Sequence, residues 1–193
     1  MKQKILLQVC CAPDATVAAE RLRDDYVVGV YFYNPNIHPS AEYLLRVEEM
    51  EKVAPLIGVA LHSAPYDPEK WFEAVRGYEH EPEKGSRCSI CFRLRLEMTA
   101  RAAEELGYDL FGTVLTVSPH KDAELINELG REIESIVRVK YFASNFKKKD
   151  GFKRSLELSR QFGLYRQDYC GCVFSRLERE KACRGSDERS TVL

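Results

Sequence analysis

Nowhere does this chain of 193 residues hold an apolar run approaching the roughly 20 residues that a bilayer-spanning helix needs, so a helical membrane protein is excluded. Its start, "MKQKILLQVCCAPD", is basic but has neither a long apolar segment nor a small-residue cleavage site, and the expectation is a cytoplasmic protein with no membrane partner. Net charge is missing too: 29 Lys and Arg against 30 Asp and Glu leave −1, which argues neither for a nucleic-acid partner nor against one. There is no internal repeat, and no low-complexity tract beyond the tail "RGSDERSTVL", which is expected to fray. One further absence is local. The loop "VCCAPDAT" contains no glycine and Pro13 deletes a backbone donor, which argues against a pyrophosphate cradle and an ATP-pyrophosphatase activity there.

What is present suits one catalytic domain over residues 1–183 followed by a polar tail at 184–193, because 45% hydrophobic content is enough to fill a core without external staples. "KILLQVC" is a nearly continuous apolar run, as in a strand buried on both faces of a parallel sheet. Tyr26–Tyr33, Gly58–Ser63, Asp109–Ser118 and Ile136–Phe142 read as further strands. Helical patterns lie between them: Pro13–Arg23, Ala41–Ile57, Ser89–Leu106, a helix capped by Ser118 with Pro119 at its first position and interrupted or ended at Gly130, and Phe152–Phe162 stopping at Gly163. This alternation predicts a three-layer α/β/α fold with a mainly parallel sheet, similar to the adenine-nucleotide α-hydrolase class. Tyr66–Ser86 breaks the pattern as a helical insertion, and a cysteine segment closes the chain.

Cysteine is abundant, with seven residues grouped as Cys10/Cys11, Cys88/Cys91, Cys170/Cys172 and a solitary Cys183. In a reducing compartment such pairs read as metal or redox chemistry before a disulfide framework. Cys88 and Cys91 have the C-x-x-C spacing that lets one helical turn reach one metal or cluster. Cys10 and Cys11 end a strand, where adjacent side chains can serve two centres or bridge them. In extended geometry Cys170 and Cys172 fall on one side, with Gly171 permitting close approach. Six thiolates exceed a structural Cys₄ zinc site, whereas an iron–sulfur cluster plus a second metal uses them all. Asp14 is a candidate oxygen ligand, and Cys183 reads as a bystander.

The segments "CCAPD", "YNPNIHPSAEYLLR", "EPEKGSRCSICFRLRL", "LTVSPHKD" and "YRQDYCGCVFS" together resemble the QueH-type epoxyqueuosine reductases, from about residue 5 to about residue 179. The resemblance implies the last step of queuosine biosynthesis, removal of the epoxide oxygen from epoxyqueuosine at the tRNA wobble position. It also implies a [4Fe–4S] cluster with an additional iron ion, and an external electron donor whose identity the sequence does not disclose. On that reading Cys10, Cys11, Cys88, Cys91, Cys170 and Cys172 are the ligands, with Asp14 as an oxygen ligand or nearby acid. Proton-donor candidates by location are His120, Lys121 and Tyr169, with His120 reading at least as well as a helix-start residue that contacts a neighbour or a phosphate, and His38 likewise as a loop-ordering residue.

For tRNA, residues 138–154 carry seven Lys or Arg against one Asp. Lys147, Lys148, Lys149, Lys153 and Arg154 suit phosphates, while Tyr141, Phe146 or Phe152 could stack on bases if exposed; the alternative is a solvated loop with its aromatics in the core. Arg87, Arg93 and Arg166 flank the cysteine motifs and are placed to hold an anticodon phosphate, although Arg93 can instead pair with Glu97. Tyr33, Asn34 and Asn36 are candidates for reading the base. The competing functions are a noncatalytic zinc-stabilised RNA-binding module and a thiol–disulfide reductase built on Cys88 and Cys91.

Overall fold

The computed structural model of the protein describes residues 2–190, with side chains through Ala182; the bystander reading of Cys183 lies outside the described side chains. Five strands, β1 (Gln3–Val9), β2 (Tyr26–Phe32), β3 (Ala60–Ser63), β4 (Leu110–Thr113) and β5 (Lys140–Tyr141), form one sheet in the order β3-β2-β1-β4-β5. Every pairing is parallel. Seven α-helices accompany them among the described residues: α1 (Ala12–Leu22), α2 (Ser40–Val53), α3 (Pro68–Ala74), α4 (Ser86–Glu105), α5 (Ala123–Glu134), α6 (Gly151–Phe162) and α7 (Val173–Ser190).

The three layers follow from the period-2 geometry of β1. Ile5, Leu7 and Val9 pack toward α1 and α2, in one apolar group with Ala15, Ala18, Met50 and Val53. Leu6 faces the other way, toward Phe92 and Leu96 of α4 and Ile126 and Ile133 of α5. With both faces covered, a continuous apolar strand is the expected solution.

The order of the strands reverses between β1 and β4, and in open parallel sheets a crevice forms there, beyond the strands' carboxyl ends. A buried polar brace holds it open. Gln8 Nε2 donates to the Val9 carbonyl (3.0 Å) and to Asn34 Oδ1 (3.2 Å), and its Oε1 accepts from Thr113 Oγ1 (3.1 Å). Asn34 Nδ2 also donates to the Val9 carbonyl (2.8 Å). The ends of β1, β2 and β4 are thereby cross-tied at the point where the cysteines begin.

Three expectations change. The strand placed over Asp109–Ser118 stops at Thr113, because the Thr113 hydroxyl takes the Leu115 N–H (3.1 Å) and the chain turns into a 3-10 segment at Leu115–Val117. The cap of α5 is Asp122 rather than Ser118: Asp122 Oδ1 accepts from both Glu124 N (2.9 Å) and Leu125 N (3.2 Å), leaving Ser118–Lys121 as a loop. Gly130 does not interrupt that helix. A Cβ at Gly130 would sit 2.2 Å from the Tyr141 ring, so the glycine serves close packing of α5 against β5. Gly163 ends α6 in the left-handed conformation at φ 63°, as the sequence predicts, and the insertion contains α3, anchored by the buried Trp71.

Candidate metal centre

Cys10 follows β1, Cys11 caps α1 with extended backbone, and Asp14 lies in that helix's first turn. This turn makes three ligand atoms converge: the two sulfurs and a carboxylate oxygen all lie within 4.8 Å of one another. Cys88 and Cys91 sit in the first turns of α4, where Cys88 Sγ accepts the Lys84 N–H (3.3 Å) and Cys91 packs with Trp71, Val75 and Cys172. These four thiols, like Cys170 and Cys172, are free of disulfides.

The Cys170-Gly171-Cys172 segment departs from the extended geometry expected of it. Gly171 has φ 122°, a region other residues rarely enter, and a Cβ there would meet Ile37 at 3.0 Å and Arg46 Nη1 at 3.3 Å. The turn is fixed on both sides: the Gly171 carbonyl accepts the His38 N–H (2.8 Å), and Cys170 N donates to Ser175 Oγ (3.3 Å).

Charge divides the thiols. Cys10 is pulled down to about 5 by the hydrogen bond from Cys11, with burial opposing and the guanidinium charges of Arg95 and Arg46 assisting. Cys170 is held well below the usual thiol range by the hydrogen bond from Cys172, again against burial, and by Lys121, whose Nζ lies 3.1 Å from its sulfur. Burial pushes Cys88 and Cys91 the other way. Asp14 is pushed up to about 7, first by burial and then by the charge of Cys10. Burial works against the Lys121 ammonium, but Cys170 and Glu83, the latter at 3.3 Å, keep it protonated.

Cys10, Asp14, Lys121 and Cys170 line a cleft of about 490 Å³, within the size range of small-ligand sites, at the β1/β4 crevice. Of the other sequence candidates, His120, Tyr169 and Arg166 line it as well. His120 is exposed and its backbone N–H is held by Ser118 Oγ (3.2 Å). Tyr169 donates its hydroxyl to the His38 carbonyl (2.5 Å), and Arg166 donates to Ser159 Oγ (3.0 Å) while lying over the Phe152 ring. His38 itself is half-buried between Trp71 and Phe72 and orders the loop through its backbone.

The basic candidates separate. Arg87 is 1% exposed, with Nη1 donating to the carbonyls of Tyr78, Glu79 and Glu81, so it ties down the insertion and has no surface to offer a phosphate. Arg93 pairs with Glu97 (3.8 Å), as its spacing allowed, and also with Glu132. Arg154 pairs with Glu20 (2.9 Å) and Glu157 (2.9 Å). Lys147 Nζ donates to the Lys121 carbonyl (2.6 Å), whereas Lys148, Lys149 and Lys153 are exposed. Tyr141 and Phe146 are core residues, which leaves Phe152 as the aromatic of this stretch that reaches the cleft. Asn34 belongs to the strand brace and Asn36 is fully buried, so neither is presented at the surface.

Four neighbours of the thiols went unread in the sequence. Arg46, 1% exposed, pairs with Glu42 (2.7 Å) and lies over the Tyr169 ring; Glu83 joins Lys121 to Ser175 Oγ (3.1 Å); Trp71 packs on Cys91 and Cys172; and Arg95 lines the cleft at 1% exposure. Spacing could have found Arg95, which follows Cys91 by four residues on one helix and so shares its face. Among the described residues, Trp71 Nε1, Arg95 Nε and Nη2 and the Tyr33 hydroxyl are buried without a hydrogen-bond partner. Buried donors beside thiols fit a sulfide-bridged cluster, whose sulfurs accept such bonds, better than they fit a solitary ion saturated by its ligands.

A family profile described as epoxyqueuosine reductase QueH matches residues 5–178. Proteins named epoxyqueuosine reductase QueH are similar throughout. That of Staphylococcus epidermidis is 44% identical, covering 92% of this chain and 78% of its own length; that of Thermotoga maritima is 40% identical, covering 92% of each. Among solved structures, the U34-tRNA thiolase NcsA from Methanococcus maripaludis with its [4Fe-4S] cluster superposes with a TM-score of 0.57 at 15% identity, covering 97% of this chain and 67% of that one. A predicted subunit of tRNA methyltransferase from Methanocaldococcus jannaschii gives 0.55 at 16% identity, covering 82% and 76%. At such identities these two likenesses show the fold alone.

Proposed function

This chain belongs to the epoxyqueuosine reductase QueH family, and we propose that the cleft at the β1/β4 crevice is where it reduces epoxyqueuosine to queuosine in tRNA. The observation that carries the assignment of the site is the close grouping of Cys10, Cys11 and Asp14 at a nucleoside-sized cleft that Cys10, Asp14 and Cys170 line, with Cys91 and Cys172 packed together behind it. Cys88, Cys91, Cys170 and Cys172 would hold a [4Fe–4S] cluster; a cubane spreads its ligands over four irons, so their sulfurs need not approach as closely as ligands of one ion. Cys10, Cys11 and Asp14, whose ligand atoms lie close enough together for one ion, would hold the additional iron. Bound there, such centres supply one-electron reduction and a Lewis acid.

Converting the epoxide to an alkene consumes two electrons and two protons and releases water. The electrons come from an external donor, and the reading puts the protein in the cytoplasm with its tRNA. The chain's own residues handle orientation and protons. Lys121, held protonated beside Cys170 and Glu83, offers positive charge to oxygen as it becomes anionic. Tyr169 has committed its proton to the His38 carbonyl, and the exposed His120, whose ring makes no hydrogen bond among the described residues, exchanges with water and serves as the proton donor. Arg166, with Phe152 beneath it, fits the anticodon phosphate and an extruded base, while Lys148, Lys149 and Lys153 take phosphates further out.

The test is anaerobic reaction of the protein, in the presence of excess chemical reductant, with tRNA bearing epoxyqueuosine, followed by nucleoside mass spectrometry. Loss of one oxygen mass from the modified base is expected. Intact epoxyqueuosine after incubation with fully reduced protein would overturn the reading.

A further inference from the structure

Three buried cations surround the cysteines, and they differ in their partners. Arg46 has Glu42 at 2.7 Å and Lys121 has Glu83 at 3.3 Å. Arg95 is 1% exposed, and among the described residues it has no carboxylate partner and no acceptor for Nε or Nη2. A guanidinium cannot shed its charge, so leaving one buried and unpaired costs several kcal/mol unless an anion faces it. The groups that face it are sulfurs: Cys10, Cys91 and Cys170 all act on its charge.

Helix α4 makes this placement unavoidable. Cys91 and Arg95 are four residues apart on one face of α4, and Leu96, Thr99 and Ala100 beyond them are fully buried, so the guanidinium reaches forward to the thiols rather than out to water. Its two N–H groups have no partner among the described residues, so on the reading above inorganic sulfide is their acceptor.

We propose that Arg95 is a positioning residue that sets the reduction potential of the cluster, its buried guanidinium holding a fixed charge beside Cys10, Cys91 and Cys170 and donating Nε–H and Nη2–H, which have no partner among the described residues, to cluster sulfide. Adding one electron makes those sulfurs more negative, and a fixed positive charge with two donors favours that reduced form, raising the potential. The inference rests on the cluster reading and gives Arg95 no part in touching the substrate.

The test uses Arg95→Gln and Arg95→Lys, with anaerobic redox titration followed by EPR, iron and sulfide analysis, and melting of the metal-free proteins. Arg95→Gln is expected to keep the cluster and lower the reduced-to-oxidised ratio at fixed donor potential at least tenfold, about 59 mV for a one-electron couple. Arg95→Lys, which keeps the charge without the fork, should fall between it and the wild type. Wild-type potential in either cluster-bearing variant overturns the proposal. So does loss of the cluster from both variants with unchanged metal-free melting, which makes Arg95 an assembly residue, or collapse of both metal-free proteins, which makes it a fold residue. A wild-type protein without a reducible cluster brings down the underlying cluster reading as well, and is seen before any variant is made.

Discussion

The two sides of the thiol site are built from opposite materials. On the inner side, Cys91 and Cys172 sit with Trp71, Val75 and Phe174 in an apolar group. On the cleft side, Cys10 and Cys170 meet Arg95, Lys121 and Asp14 at the edge of a solvent-reaching cavity. The same residue type responds in opposite directions: burial lifts the Cys91 thiol, while hydrogen bonds and cations pull Cys10 and Cys170 down. The difference teaches how one small domain can keep electrons in a dry, weakly solvated place while presenting charge and protons to a substrate a few side chains away.

Breaking the dry side should have the largest effect. Cys91→Ser is expected to abolish turnover and strip acid-labile sulfide from the protein, as measured by iron and sulfide content; retained cluster with full activity would place that cysteine outside the centre. On the wet side, Lys121→Met should leave metal content near wild type and lower kcat by about 100- to 1,000-fold, because a fixed charge at the developing anion is lost. Equal losses of cluster and activity in Lys121→Met would instead make the two sides one structural unit.

His120→Ala sharpens the comparison further, with a fall in kcat of about 100-fold at unchanged iron and sulfide. Unchanged turnover would remove His120 as the proton donor. At the outer rim, Lys148→Ala with Lys149→Ala should raise the KM for tRNA about 3- to 10-fold, leave kcat intact and flatten the salt dependence of binding, as expected for phosphate contacts. A change in kcat there would mean that the loop shapes the cleft.

How much of this was legible in the sequence follows from which interactions are local. "KILLQVC" and its successors announce buried parallel strands, and the cysteine spacings announce the site, because both signals reside in neighbouring residues. The early end of β4 was not legible, since it depends on a Thr113 hydroxyl meeting Gln8 from another strand. Arg46 and Glu83 were hidden for the same reason, since charged residues read as solvated until the fold closes thiols and partners around them, whereas Arg95 was legible from its spacing to Cys91. The aromatics of residues 138–154 show the reverse case, where a basic stretch invited an RNA-stacking role and the sheet and helix packing claimed Tyr141 and Phe146 for the core.

The central claim is that the six thiols and Asp14 hold a reducible cluster and a separate iron. Anaerobic purification with iron, sulfide and zinc analysis, followed by EPR on reduction, tests it most directly. The account predicts iron in excess of about four per chain, with about four sulfides and a signal that appears on reduction. Stoichiometric zinc without sulfide would contradict it and leave a zinc-stabilised RNA-binding protein.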